Sequence, residues 1–207
     1  MIRNALISVS DKANLAPLTS FLYSKGTTIY ATGSTHKHLE TILLKAKSLY
    51  RVKDLTQHPE FLDGRVKTLH PKIYGGILAD RTNPQHMYEL KSLEIPPIDL
   101  VVCNLYPFEK TISSTHTHKD AIENIDIGGP TMIRAAAKNY DSIYVLTSPD
   151  QYETFIETIT STEDESKLTE YRHTLAATAF DHITHYDTII SNYFNAQPLH
   201  TQSALIL

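Results

Sequence analysis

Short apolar runs alternate with segments of helical period along most of this chain, and that alternation restricts its fold more than any other feature. Ala5-Leu6-Ile7-Ser8-Val9 has no helical period and reads as a buried strand. Leu15, Leu18, Phe21 and Leu22 follow at helical spacing, and Gly26 stands where a glycine ends a helix. Thr27 to Ala31, β-branched and aromatic, makes a second strand, after which Thr32-Gly33-Ser34-Thr35 turns into a helix carrying Leu39, Ile42 and Leu43. A weaker strand lies at Leu49 to Val52. Ile98 to Cys103 is a strong buried strand whose start is blocked by Pro96-Pro97, and Ser142 to Leu146 is another. Ser148-Pro149-Asp150 opens the next helix in cap order. Leu175, Ala179, Ile183, Tyr186, Ile190 and Tyr193 step by threes and fours, the mark of a long amphipathic helix. Strands alternating with helices predict a mainly parallel sheet covered on both faces, a three-layer α/β/α sandwich. Thr160 to Lys167 is the most linker-like stretch and is too short to divide domains, so one domain is expected over residues 1–196 with a tail at 197–207.

Composition removes several function classes. The net charge is −4 with the 11 histidines neutral, which argues against generic nucleic-acid binding and its basic excess. An anionic substrate would need a local cationic pocket instead. Cys103 is the lone cysteine, so an intramolecular disulfide and a multi-cysteine zinc site are excluded. No apolar stretch approaches the length that spans a bilayer, and Met1-Ile2-Arg3-Asn4 runs straight into a strand without a secretory leader pattern. A cytoplasmic protein without membrane partners is expected.

In parallel sheets ligands bind at the carboxyl ends of strands, beside helix N-termini. The polar clusters of this chain fall there. Ser10-Asp11-Lys12 follows the first strand, Thr32 to Thr35 the second, and Asn104-Leu105-Tyr106-Pro107 the Val101 strand. Thr32-Gly33-Ser34-Thr35 reads either as a phosphate cradle or as plain helix capping, and Lys12 at the adjacent strand end favours phosphate. Gly64-Arg65-Val66-Lys67-Thr68-Leu69-His70-Pro71 sets two cations one residue apart between a glycine and a proline. On an extended backbone Arg65 and Lys67 point the same way, toward an anionic or carbonyl-bearing ligand, with Thr68 and His70 on the other side. Ile125-Asp126-Ile127-Gly128-Gly129-Pro130 leads into a helix ending near Lys138 and Asn139. Its glycines permit close backbone approach to a ligand; a simple Asx turn before a helix is the competing reading. Lys138 stands about 12 Å along an ideal helix from Pro130, in tension with a site shared with Asp126. His116 with His118, and His182 with His185, complete no metal-ligand pattern.

Ser8 to Lys12, Gly64 to Pro71, Cys103 to Phe108 and Ile125 to Asn139 occur together and in order. These segments resemble the IMP cyclohydrolase domain of the bifunctional AICAR transformylase/IMP cyclohydrolase family of purine biosynthesis, over residues from about 3 to about 195. The resemblance implies a methylglyoxal-synthase-like fold. It also implies closure of 5-formamido-imidazole-4-carboxamide ribotide (FAICAR) to inosine monophosphate (IMP) with loss of water, no metal or organic cofactor, and a homodimer. By motif position, Lys67 and Tyr106 look like donors at the formyl oxygen, and Asp126 and Lys138 like the acid/base pair. Ser10, Asp11, Lys12, Thr32, Gly33, Ser34, Thr35, Arg65, Thr68, Cys103, Asn104, Ile127 and Gly128 match the family's nucleotide contacts.

The chain departs from the family at Ser34, where glycine is usual and the side chain either crowds the phosphate, if the backbone needs a positive φ, or adds a donor, and at Tyr74, where histidine is common. The transformylase domain does not appear, so the chain is either a stand-alone cyclohydrolase or a separately expressed domain. Two rival readings on the same fold are a methylglyoxal synthase and a nucleotide-sensing regulatory domain. Neither accounts for Arg65-Val66-Lys67-Thr68 together with Asp126-Ile127-Gly128-Gly129 and the Lys138 helix.

Overall fold

The computed structural model describes residues 1–44 and 46–196; the expected tail at 197–207 lies outside them. Five strands form one sheet: β1 (Asn4–Val9), β2 (Thr28–Ala31), β3 (Leu49–Arg51), β4 (Leu100–Asn104) and β5 (Tyr144–Leu146). All four pairings are parallel, in the order β3-β2-β1-β4-β5. The helices are α1 (Leu15–Ser24), α2 (Gly33–Ile42), α3 (Val52–Thr56), α4 (Pro71–Leu78), α5 (Pro84–Ser92), α6 (Phe108–Ile112), α7 (His118–Glu123), α8 (Gly128–Lys138), α9 (Tyr152–Ser161) and α10 (Glu165–Ala196). Helices α1, α2 and α9 pack together, as do α4, α8 and α10, and the sheet lies between the two layers. The expected sandwich is thus observed.

Strands β1 and β4 are the centre of the core. Leu6, Ile7, Leu100, Val101 and Val102 are fully buried, as befits parallel strands covered on both sides. Leu15, Leu18 and Leu22 bring α1 onto the sheet, and Gly26 at φ 77° ends that helix in the left-handed region, where a side chain would be strained. Ser148 begins a 3₁₀ turn over Pro149–Gln151 that runs into α9. Of the stretch read as linker-like, only residues 162–164 connect α9 and α10; its ends are helical. Ile73 to Leu78 carries no strand or helix signal of its own, yet it forms α4 because Pro71 occupies the first turn and His70 accepts the Lys72 N–H at 3.1 Å.

Asp99, at the amino end of β4, ties that end of the sheet together. Its carboxylate accepts the N–H groups of Arg3 at 2.7 Å and Asn4 at 2.8 Å and pairs with Arg81. Removing it orphans two backbone donors and a partly screened cation. Asp99→Ala is therefore expected to lower the unfolding free energy by about 2–4 kcal/mol in urea titration, with the spectrum of the folded state unchanged.

Candidate active site

The chain runs outward from β1 through β2 to β3, then returns to the other side of β1 with β4 and β5. Such a reversal opens a crevice beyond the carboxyl ends of the two strands at the switch, here β1 and β4. A cleft of ≈ 570 Å³ lies there, of the size that holds a small ligand. Asn104 binds its two sides together: Oδ1 accepts the N–H groups of Ser10 at 2.7 Å and Asp11 at 2.8 Å, and Nδ2 donates to Asp11 O at 2.8 Å.

On the β2 side, Thr32 and Ser34 line the cleft at the start of α2. Neither the plain-cap reading nor a wholly free hydroxyl cradle describes this turn. Thr32 is the N-cap residue but makes no side-chain cap bond, and its hydroxyl meets Ser8 Oγ at 3.0 Å. Thr35 is buried, with Oγ1 engaged by the backbone of Val9. A Cβ on Gly33 would stand 3.5 Å from the Glu60 carboxylate, so an anion already sits by this helix start. Ser34 has no positive φ, so its side chain brings no backbone strain.

The Gly64–Pro71 segment is a turn rather than an extended strand. Leu62, Asp63 and Gly64 all have positive φ, and Phe61 bridges to Val66. Arg65 therefore swings outward to an exposed pair with Glu123, while Lys67 lies half-buried against Gly64. A Cβ on Gly64 would come within 2.7 Å of Lys67 Cε. Thr68 is buried against the start of α8, where a Cβ on Gly128 would meet its hydroxyl at 2.8 Å. His70 turns away to cap α4.

Asp126 is half-buried, and its Oδ1 accepts the Gly129 N–H at 2.8 Å, the local turn contact that the competing reading expected. Its backbone N–H donates to the hydroxyl of Tyr186, on α10, at 2.8 Å. Burial pushes the Asp126 carboxyl above its ordinary range, opposed by the amides of Gly129, Tyr106 and Gly128 and by the nearby Lys67 cation. Tyr106 stands exposed at the mouth, and Leu69, Ile122 and Ile127 supply exposed apolar surface around it.

Ser10, Arg65, Lys67, Thr68, Asn104, Tyr106, Asp126, Ile127 and Gly128 thus line one cleft with Thr32 and Ser34. The other residues carried over by motif position do not line it. Asp11 turns to the Ala13 N–H, and Lys12 lies over its own turn, with Nζ 3.2 Å from Ser10 O. Thr35 is buried behind the lining, and Gly33 faces the Glu60 carboxylate. Cys103 is buried beside Gly129, its thiol pushed far up by burial, which leaves it a small strand residue without nucleophilic character. Lys138 is exposed at the far end of α8, about 15 Å along the helix from Gly128, and the structure does not bring it to Asp126 within one chain. Tyr74, whose role the motif left open, donates to Thr131 Oγ1 at 2.8 Å on α8. Ser8, Glu123 and Met132 line the cleft as well; Ser8 and Met132 fall inside the motif segments Ser8 to Lys12 and Ile125 to Asn139 without a chemistry that singles them out, and Glu123 stands outside every motif. Among the described residues no group of three or more His, Cys, Asp or Glu is placed to hold a metal, and no helix is long and apolar enough to cross a membrane.

The family model for the MGS-like domain matches residues 14–131. The chain belongs to the MGS-like domain family. A second model, described as the AICARFT/IMPCHase bienzyme, matches residues 136–206. The chain is 48% identical over 198 residues to the bifunctional purine biosynthesis protein PurH of Acetivibrio thermocellus, covering 95% of the chain and 38% of that protein. It is 50% identical over 196 residues to the PurH of Rhodopirellula baltica, covering 93% of the chain and 36% of that protein. It therefore spans somewhat under two fifths of the length of these relatives. The crystal structure of ForH superimposes with a TM-score of 0.79 at 32% identity, over 94% of this chain and 100% of ForH. The resemblance drawn from the motifs is borne out.

The Asn104 clamp carries a direct test. Asn104→Ala leaves the Ser10 and Asp11 amides without their acceptor, at about 1–3 kcal/mol for each orphaned donor. Urea unfolding should show that loss, and amide hydrogen exchange should quicken at Ser10 and Asp11 first.

Proposed function

We propose that this MGS-like domain is an IMP cyclohydrolase, closing FAICAR to IMP and water. The observation that carries the reading is the meeting of Lys67, Tyr106 and Asp126 in one cleft with the start of α2. The substrate's phosphate would lie at that helix start, where N–H groups and dipole favour an anion. The flat ring system would rest against Leu69, Ile122 and Ile127, with the formyl and carboxamide groups near Asp126.

The reaction joins the carboxamide nitrogen to the formyl carbon. An amide nitrogen is a weak nucleophile and sheds a proton as it attacks. The Asp126 carboxylate is the acceptor in this reading, because burial raises its basicity toward working pH. The formyl oxygen gathers negative charge as the ring closes, and the Lys67 ammonium with the Tyr106 hydroxyl would donate to it. The adduct then loses that oxygen: the proton on the former formamide nitrogen and one delivered by Lys67 or Asp126 leave with it as water, the former carboxamide nitrogen keeps its remaining proton, and the C–N double bond of the purine forms. Arg65, held by Glu123 at the rim, would supply local positive charge to a chain of net charge −4. The far end of α8 is too distant for Lys138 to share in these transfers within one chain.

A purine ribonucleotide as ligand, a homodimer and a cytoplasmic location complete the proposal; the PurH resemblance supports them. Sedimentation at micromolar concentration should give a species of twice the 23.3 kDa chain mass; the chain mass alone would refute the dimer.

The chain is expected to convert FAICAR to IMP without folate, followed by absorbance and chromatography. Lys67→Ala should still bind IMP, while kcat falls by roughly 10²–10³, the scale of one lost oxyanion donor. A raised KM with kcat nearly intact would make Lys67 a ground-state anchor, and absence of IMP with the unmutated chain would overturn the function itself.

A further inference from the structure

Asp126 is held from two directions. Its side chain is fixed by the Gly129 amide at 2.8 Å, and a Cβ on Gly129 would stand 2.8 Å from Oδ2, so the carboxylate is confined on that side. Its backbone is fixed by Tyr186, whose phenol oxygen accepts the Asp126 N–H at 2.8 Å. Tyr186 is itself immobilised: its ring is buried on α10 and meets Phe108 edge-on with centroids 6.4 Å apart, while Phe108 also packs against Tyr193 at 5.6 Å. We propose that Tyr186 is a positioning residue of the cleft, setting the place and direction of the Asp126 carboxylate by holding its backbone amide. The proposal rests on the reading of Asp126 as the proton acceptor.

Three further observations support it. Tyr186 lies in the segment 136–206 matched by the AICARFT/IMPCHase model, whereas Lys67, Tyr106 and Asp126 lie in the segment 14–131 matched by the MGS-like model. The C-terminal helix therefore adds to an MGS-like cleft a constraint on its carboxylate. The group is also suited to the task. Its oxygen is a neutral phenol at working pH, burial pushing the hydroxyl up to about 12, so the contact with the Asp126 amide adds no charge beside the carboxylate. Finally, a phenol on a packed ring has little torsional freedom, unlike a water or a long amide side chain, and placement to within an ångström is what proximity catalysis requires. Lys67, Cys103 and Tyr74 are the other titratable groups whose charge reaches Asp126, and none of them holds its backbone.

Tyr186→Phe keeps the ring and removes the acceptor. In the full chain kcat should fall about 10- to 100-fold, with KM for FAICAR within about threefold of the parent. The acid limb of the kcat profile should move to higher pH. A carboxylate acting as base loses activity as pH falls through its pKa, and that pKa rises when its N–H contacts loosen. Amide hydrogen exchange at Asp126 should quicken. Tyr171→Phe, on the same helix with its ring against Tyr144, should change none of these. Parent-like kcat, acid limb and exchange in Tyr186→Phe would overturn the proposal, as would a Tyr171→Phe variant that shows the same losses with the same drop in Tm. If the unmutated chain forms no IMP, the proposed function fails by itself, and unaltered protection of the Asp126 amide in Tyr186→Phe would still refute the positioning role.

Discussion

The carboxamide of Asn104 spans the gap where β1 and β4 part, and the geometry of the cleft follows from that bridge. Parallel strands lose their ladder once each enters its own turn, so at a switch point the two chain ends diverge with unpaired amides. Asn104, the last residue of β4, is in register with Val9, the last of β1. Its side chain is therefore at the right height to take the Ser10 and Asp11 amides and return a bond to Asp11 O. The turn after β1 is thereby set relative to Tyr106, two residues beyond the clamp. An aspartate in this place could accept but not donate, and an apolar residue would leave both amides to water.

Around that floor, glycines let three segments approach more closely than side chains would allow. Gly128 admits Thr68, Gly129 admits the Asp126 carboxylate, and Gly64 admits the stem of Lys67. The turn that delivers Lys67 holds Leu62 and Asp63 at positive φ, a conformation costly for residues with a Cβ. Strain at that point is offset by the bridge from Phe61 to Val66 and by burial of Thr68. The arrangement places a cation and a half-buried carboxylate near one another without a direct ion pair among the described residues. Both groups thus remain open to a ligand.

How much of this could be read beforehand differs from segment to segment. Strand β4 was legible because the apolar run Leu100 to Cys103, close behind Pro96-Pro97, has few other fates, although the ladder starts at Leu100 rather than Ile98. The long helix was legible from its stripe, and the crevice from the coincidence of polar clusters with strand ends. The direction of side chains in the turn was not. Treating Arg65 and Lys67 as one extended pair fails because Leu62, Asp63 and Gly64 all turn the chain at positive φ: the Asp63-Gly64 pair is a turn signal, but the left-handed Leu62 before it is set by tertiary packing. Lys12 illustrates the same limit: its place at a strand end is evident, yet its ammonium folds back onto Ser10 O. Lys138 shows where motif carry-over and helix geometry part company, since an uninterrupted α8 sets it at the opposite end from Gly128. The Tyr186 contact joins residues 60 positions apart, and its ring had already been read as core from the helical stripe.

The position of the bound nucleotide is the decisive measurement. A crystal structure of the chain with IMP should place the phosphate at the start of α2 beside Thr32 and Ser34. The purine C2 edge, formed from the formyl carbon, should then lie between Lys67 and the Asp126 carboxylate. A phosphate bound elsewhere, such as the second hollow between Tyr30, Tyr50 and Lys72, or a base turned away from Asp126, would contradict it.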